Sequence, residues 1–204
     1  MILSGLNCGE VIRMIPPNAS AAARYFLSQI LPTAACVVDA TAGNGYDTLY
    51  LCQTSPADCR IWSFDIQQEA LSACSTLLAR HGFAHKANLI LADHATLRDY
   101  IKEPVDAAMF NLGYLPGHDH SVTTGPHSLR PALDELLALL APEGQVTIVA
   151  YPGHKPGQEE IEFLEEYLEL LPQNLFTAVK FSYMNQKNSP AILYSIGKTR
   201  RNPR

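Results

Sequence analysis

A chain of 204 residues with 47% hydrophobic and 17% charged residues can bury a core without disulfides or metals, which excludes a disordered or disulfide-stapled protein. Its apolar runs, such as Ala107 to Phe110 and Leu136 to Ala141, are too short to cross a bilayer, and the chain does not open on a signal peptide, so a cytoplasmic protein without membrane contact is expected. A net charge of −5 argues against broad nucleic-acid affinity but not against a local RNA patch, and five cysteines without a C-x-x-C pair read as free thiols of a reducing compartment.

In chain order the elements alternate, without internal repeats. Residues 18 to 31 are predicted as a helix capped by Asn18, with Ala22, Tyr25, Phe26 and Ile30 on one face. A buried strand follows over 36 to 41, then a helix over 45 to 53 and a strand over 60 to 66. The helix over 67 to 81 carries Ala70, Leu71, Cys74, Leu77 and Leu78 on one side and stops at Gly82. A third strand spans 88 to 93, a short helix reaches about residue 101, and a fourth strand spans 107 to 112. Beyond a loop from Gly113 to Gly125, a helix is expected to Leu140, a turn at Pro142-Glu-Gly144 and a fifth strand over 145 to 151. The last helix covers 159 to 171, and two strands, 177 to 184 and 191 to 197, are joined by Asn185-Gln-Lys-Asn-Ser-Pro190.

Strands alternating with helices point to a doubly wound α/β sheet, and the final pair, joined by a short turn, must be antiparallel. A seven-stranded sheet with a terminal antiparallel hairpin is the usual topology of class I methyltransferases, and a single domain is expected, with residues 1–34 as a helical extension and 198–204 as a basic tail.

In such sheets ligands bind beyond the carboxyl ends of the strands, at the topological switch point. The residues there are Asp39-Ala-Thr-Ala-Gly-Asn-Gly45, Asp65-Ile-Gln67, Ala92-Asp-His94 and Asn111-Leu-Gly-Tyr114. Gly43 and Gly45 allow close backbone approach. Asp39 before them can receive the amino group of an amino-acid ligand and would repel a pyrophosphate. Asp65 can accept two ribose hydroxyls, and Asp93 can reach an adenine amino group. Each carboxylate taken alone also reads as a helix cap.

The run Asp39-Ala-Thr-Ala-Gly-Asn-Gly-Tyr-Asp-Thr48, with Phe64-Asp-Ile-Gln67, Phe110-Asn-Leu-Gly-Tyr-Leu-Pro-Gly117, Thr123-Thr124, Tyr151-Pro-Gly-His154 and Asn185 to Pro190, resembles a family of small bacterial methyltransferases labelled rRNA methylases. The resemblance runs from about Asn18 to Lys198. It implies S-adenosylmethionine as cofactor and, as substrate, the anticodon loop of tRNA. The implied reaction methylates the aminomethyl group of the modified wobble uridine, forming 5-methylaminomethyl-(2-thio)uridine. It also leaves room for a homodimer. The cofactor residues it implies are Asp39, Thr41, Gly43, Asn44, Gly45, Asp47, Thr48, Asp65, Gln67, Asp93, His94 and Asn111. Those implied for substrate are Tyr114, His118, Asp119, Thr123, Thr124, Tyr151, His154, Asn185, Gln186 and Asn188. Two departures are Ala42, where members often carry a larger residue such as Met, and His118-Asp119-His120, where Gly-Asp-Lys is common.

Asn111-Leu-Gly-Tyr114 occupies the position of the Asn/Asp-Pro-Pro-Tyr turn of amino-methylating enzymes, without its prolines. A nitrogen nucleophile must aim its lone pair at the methyl group. Asn111 and neighbouring carbonyls can hold the amine hydrogens while Tyr114 stacks on a base, which makes these two the catalytic candidates. An alkylamine is largely protonated at neutral pH, so a base is needed, with His118, Asp119, His120 and His154 as candidates. His118-x-His120 lacks a strong third ligand, so no metal is expected. Three rivals remain: an NAD-dependent oxidoreductase, disfavoured because Thr48 stands where a third glycine belongs; a methyltransferase of rRNA or of a small molecule; and a non-catalytic RNA-binding module.

Overall fold

The structure is a computed structural model and describes residues 15–113, 125–153 and 155–200. Seven strands form one sheet in the order β3-β2-β1-β4-β5-β7-β6. In chain order the elements are α1 (Ala19–Leu27), β1 (Cys36–Asp39), α2 (Tyr46–Thr54), β2 (Arg60–Asp65), α3 (Gln68–Arg80), β3 (Ala87–Leu91), α4 (Leu97–Tyr100), β4 (Val105–Asn111), α5 (Pro126–Leu139), β5 (Leu140–Ala150), α6 (Lys155–Glu169), β6 (Phe176–Phe181) and β7 (Ile192–Lys198). The first five strands are parallel and β7 pairs antiparallel with both β5 and β6. This is the expected doubly wound sheet with its terminal hairpin.

Alternation along the strands divides the core in two. Val38, Ala108, Phe110 and Ile148 face Leu129, Leu133 and Leu136 of α5 and Leu164 of α6. Val37, Ala107, Met109 and Val149 face Ala22, Ala23 and Leu27 of α1 with Leu51 and Cys52 of α2. The α1 segment therefore completes one face of the sheet. Among the described residues no helix is long and apolar enough to cross a membrane, and Cys36, Cys52, Cys59 and Cys74 are free and buried.

The boundaries differ from expectation in instructive ways. Asn18 caps α1, its Oδ1 accepting from the Ala21 N–H at 2.8 Å, but the helix ends at Leu27 rather than residue 31. Pro32 has no N–H to continue the α-helical ladder, and the bonds tighten to the i−3 pattern, Ile30 N–H to Leu27 and Thr33 N–H to Ile30, closing in a short 3₁₀ turn over Leu31–Thr33. The expected turn at Pro142-Glu-Gly144 lies inside β5. Leu140 pairs with Val105 and Gln145 with Ala107, so the intervening residues form a bulge in which Glu143 takes φ 66°. The last helix begins at Lys155, four residues early, because Pro156 is tolerated in a first turn.

Candidate functional site

Strand order reverses at β1, which pairs with β2 on one side and β4 on the other. The carboxyl ends of β1 and β4 are thus neighbours at the switch point. They are joined directly, since the Asn111 N–H donates to Thr41 Oγ1 at 2.7 Å.

After Asp39 the chain leaves the sheet. The Ala40 N–H donates to the Met109 carbonyl at 2.9 Å and the Ala42 N–H to the Phe64 carbonyl at 2.8 Å. Gly43 and Gly45 take positive φ of 50° and 87°, and Gly45 opens α2 in the left-handed region. A Cβ at Gly45 would lie 2.7 Å from Cys74 Cα, so the glycine also lets α2 approach α3.

Asp39 is only 1% exposed. Its Oδ1 accepts from the Thr41 N–H at 3.1 Å and its Oδ2 from the Thr48 hydroxyl at 2.6 Å, so it lies beneath the turn and organises it. Asp65 bridges two turns: Oδ2 accepts from the Gly43 N–H and Oδ1 from the Gln67 N–H, both at 2.9 Å. Leu91, the register partner of Asp65, and Ile66 leave apolar surface open beside it at 52% and 53% exposure. Sequence reasoning missed these two, since a lone exposed Leu or Ile carries no signal.

Asp93 caps the short turn over His94–Thr96 by accepting from the Ala95 N–H at 2.8 Å. His94 is buried, its Nδ1 3.1 Å from the Ala40 carbonyl, which requires a proton on that nitrogen. Burial holds its pKa below the ordinary value despite Asp93, so the ring is neutral and the 3.8 Å approach of Nε2 to Asp93 is no ion pair. Asp47 and Asn111 meet: Asn111 Nδ2 donates to Asp47 Oδ2 at 3.3 Å. The other oxygen, Oδ1, takes Arg24 Nη2 at 2.8 Å and Nε at 3.2 Å. On the far side the Tyr151 hydroxyl donates to Asn111 Oδ1 at 2.9 Å. Arg24, on α1, was not anticipated, because an arginine on an amphipathic helix reads as a solvated charge.

The hairpin loop lies on the same side of the sheet, since β6 is parallel to β5. Its β6 end lies three strand spacings, about 15 Å, from β4, and its β7 end two. Gln186 Nε2 donates to the Pro17 carbonyl at 3.2 Å and Tyr183 to the Pro16 carbonyl at 2.6 Å, so the loop is tied to the entrance of α1. Asn185 and Asn188 are exposed, and Asn188 takes φ 63°. Asn44 and Gln67 border the turns they belong to. Tyr114, His118, Asp119, His120, Thr123, Thr124 and His154 lie outside the described residues. Among the described residues no group of three or more His, Cys, Asp or Glu could hold a metal ion.

Three carboxylates, Asp39, Asp47 and Asp65, thus surround one turn, with Arg24 engaged by Asp47. Burial, then the nearby Asp47, pushes Asp39 up to about 7. Such a site favours a cationic ligand and disfavours a pyrophosphate. A ligand carrying ammonium and sulfonium charges fits it, which separates this turn from a dinucleotide site.

The family model described as "Putative rRNA methylase" matches residues 61–197. The chain is 31% identical over 187 residues to a chloroplastic tRNA (mnm(5)s(2)U34)-methyltransferase of Arabidopsis thaliana, covering 87% of this chain and 68% of that one. Among solved structures it is similar to a "putative rRNA-methylase" from Clostridium thermocellum, at 36% identity and a TM-score of 0.86 over 89% of this chain and 97% of that chain. It is also similar to a "putative methyltransferase" from Streptococcus mutans in complex with SAH, at 33% identity and a TM-score of 0.82 over 90% and 99%.

Proposed function

We propose, from the premise that this chain belongs to the rRNA methylase family and is a methyltransferase, that its methyl donor is S-adenosylmethionine and its substrate the wobble uridine of tRNA, methylated on a 5-aminomethyl nitrogen. The observation that carries the cofactor assignment is the gathering of Asp39, Asp47 and Asp65 about the β1 turn, where Asp39 bonds Thr41 and Thr48, Asp65 bonds Gly43 and Asp47 bonds Asn111. When bound, S-adenosylmethionine supplies a methyl group made electrophilic by a sulfonium sulfur. Asp39 and Asp47 provide the negative field for that charge, Asp39 from beneath the turn rather than by open contact. Asp65 retains lone pairs for ribose hydroxyls beyond those used on Gly43 and Gln67. Ile66 and Leu91 offer apolar surface for the adenine, and Asp93 a carboxylate oxygen for its amino group.

The substrate assignment rests on the relative that modifies tRNA and on Asn111 at the adjoining strand end. Asn111 Oδ1 accepts one hydrogen bond from Tyr151 and has a second lone pair for an amine N–H. Holding that hydrogen aims the nitrogen lone pair, which is the positional requirement of the reaction. The reading also keeps Tyr114 as a stacking surface for the base, and His118, Asp119, Thr123, Thr124, His154, Asn185, Gln186 and Asn188 as RNA contacts.

The test offers purified protein and S-adenosylmethionine to three RNAs: tRNA carrying 5-aminomethyluridine, the same transcript unmodified, and ribosomal RNA. Mass spectrometry of the nucleosides should show one methyl added to the aminomethyl nitrogen and none elsewhere. Methylation of the unmodified transcript or of ribosomal RNA at a comparable rate overturns the assignment.

A further inference from the structure

We propose that Arg24 is a positioning residue for methyl transfer, acting through Asp47 and together with Tyr151 to lock the carboxamide of Asn111 in one of its two orientations. The proposal rests on the reading that Asn111 holds the substrate amine.

The two faces of an asparagine amide are nearly identical in shape and opposite in chemistry, so neighbours decide which way it points. Here they decide it without ambiguity. A carboxylate only accepts, so the group facing Asp47 Oδ2 at 3.3 Å must be Asn111 Nδ2. Oδ1 then faces Tyr151, whose hydroxyl donates to it at 2.9 Å. A flipped amide would set two acceptors against each other at Asp47. It would also present N–H groups to the amine, where they would donate to the very lone pair that must attack.

Arg24 makes this arrangement durable. Its two bonds to Asp47, from Nη2 at 2.8 Å and Nε at 3.2 Å, both end on Oδ1, leaving Oδ2 to Asn111. The guanidinium is itself held, by the Tyr46 carbonyl at 3.3 Å and over the Tyr50 ring at 5.1 Å from its centroid. Tyr50 in turn donates to the Arg24 carbonyl at 2.8 Å. Asp47 is only 9% exposed and shares the turn with Asp39. Deprived of Arg24, its carboxylate would turn toward water, which releases the constraint on Asn111. The array crosses three elements, α1, the start of α2 and the end of β4, so the extension before the sheet reaches the chemistry.

The experiment measures single-turnover methylation of tRNA bearing 5-aminomethyluridine at saturating cofactor and RNA, with cofactor affinity by calorimetry. Arg24→Met and Tyr151→Phe should each slow transfer by about tenfold to a hundredfold with cofactor affinity within about threefold of the parent, and Asp47→Asn, whose charge also belongs to the cofactor site, should slow transfer by as much even when the cofactor is saturating. Asp47→Asn is nearly isosteric. With one oxygen for two donors it must turn its NH2 toward Arg24 or toward Asn111, so a purely steric role would leave it active. Arg24→Lys, which keeps a cation against Oδ1, should recover most of the rate. The combined Arg24→Met and Asn111→Ala variant should be no slower than Asn111→Ala alone, because both act through one amide. Parent-like rates in Asp47→Asn and Tyr151→Phe, or losses in the double variant that multiply, overturn the proposal. Should Arg24→Met not fold, Asp47→Asn and Tyr151→Phe carry the same test. A parent-like rate in Asn111→Ala instead removes the reading on which the proposal rests, and the two failures are thereby told apart.

Discussion

Asp65 uses both carboxylate oxygens on backbone N–H groups, Gly43 on one side and Gln67 on the other, so it shapes the cofactor turn before any ligand arrives. Asp65→Ala should weaken S-adenosylmethionine binding at least about tenfold, since charge-assisted hydrogen bonds are worth about 1.5–3 kcal/mol each. Calorimetry on protein with parent-like circular dichroism checks this, and unchanged affinity removes Asp65 from the site. Asp39 carries a different prediction. Its pKa in the folded chain is raised by burial and by Asp47 from 3.8 to about 7. Between those values the folded state holds a proton that the unfolded chain has lost, so stability without ligand should fall as pH rises across that window. A cationic ligand favours the ionised carboxylate, so cofactor affinity should instead rise from about pH 6 to about pH 8 and then level off. Asp39→Asn should flatten both profiles. A parent affinity independent of pH would show that Asp39 does not sense the ligand's charge.

At the scale of elements, the packing of α2 on α3 depends on one residue without a side chain. Gly45 combines φ 87° with a would-be Cβ 2.7 Å from the Cys74 backbone, so strain and overlap act together. Gly45→Ala should cost about 2–4 kcal/mol of stability, adding left-handed strain to overpacking. It should also weaken cofactor binding by moving the turn. Urea unfolding measures the first effect and calorimetry the second, and a loss under about 0.5 kcal/mol would mean that the two helices separate freely. The β5 bulge shows the same logic at the other edge of the strands, where a Cβ on Gly144 would lie 2.9 Å from the Ala141 carbonyl oxygen.

The whole molecule is an acidic protein in which three carboxylates, Asp39, Asp47 and Asp65, gather about one turn at the switch point of its sheet. A ligand that binds the folded state alone stabilises it by mass action, about 2.7 kcal/mol at a hundredfold excess over Kd. For a chain of this size that corresponds to a rise in Tm of about 5–10 °C. S-adenosylmethionine and its demethylated product should both produce such a rise, and NAD at equal concentration should not, because its pyrophosphate meets the carboxylates of the β1 turn. A comparable rise with NAD would return the dinucleotide reading to contention.

The sequence by itself determined the architecture. Alternating strand and helix patterns, together with a final strand pair joined by too few residues for a crossover, leave one class of sheet, and Asp39, Asp65 and Asp93 sit at strand ends because hydrophobic runs stop there. The Gly43 and Gly45 turn was legible for the same local reason, since positive φ favours glycine. What the carboxylates do was decided only in three dimensions. Asp39 lies under the turn, bonded to Thr48, nine residues along the chain. Asp47, which belongs by sequence to the cofactor motif, is shared between Arg24 and Asn111, 23 and 64 residues away. Ion pairs and amide orientation depend on distance through space, and no periodicity or spacing records which arginine of a chain will fold back onto which carboxylate.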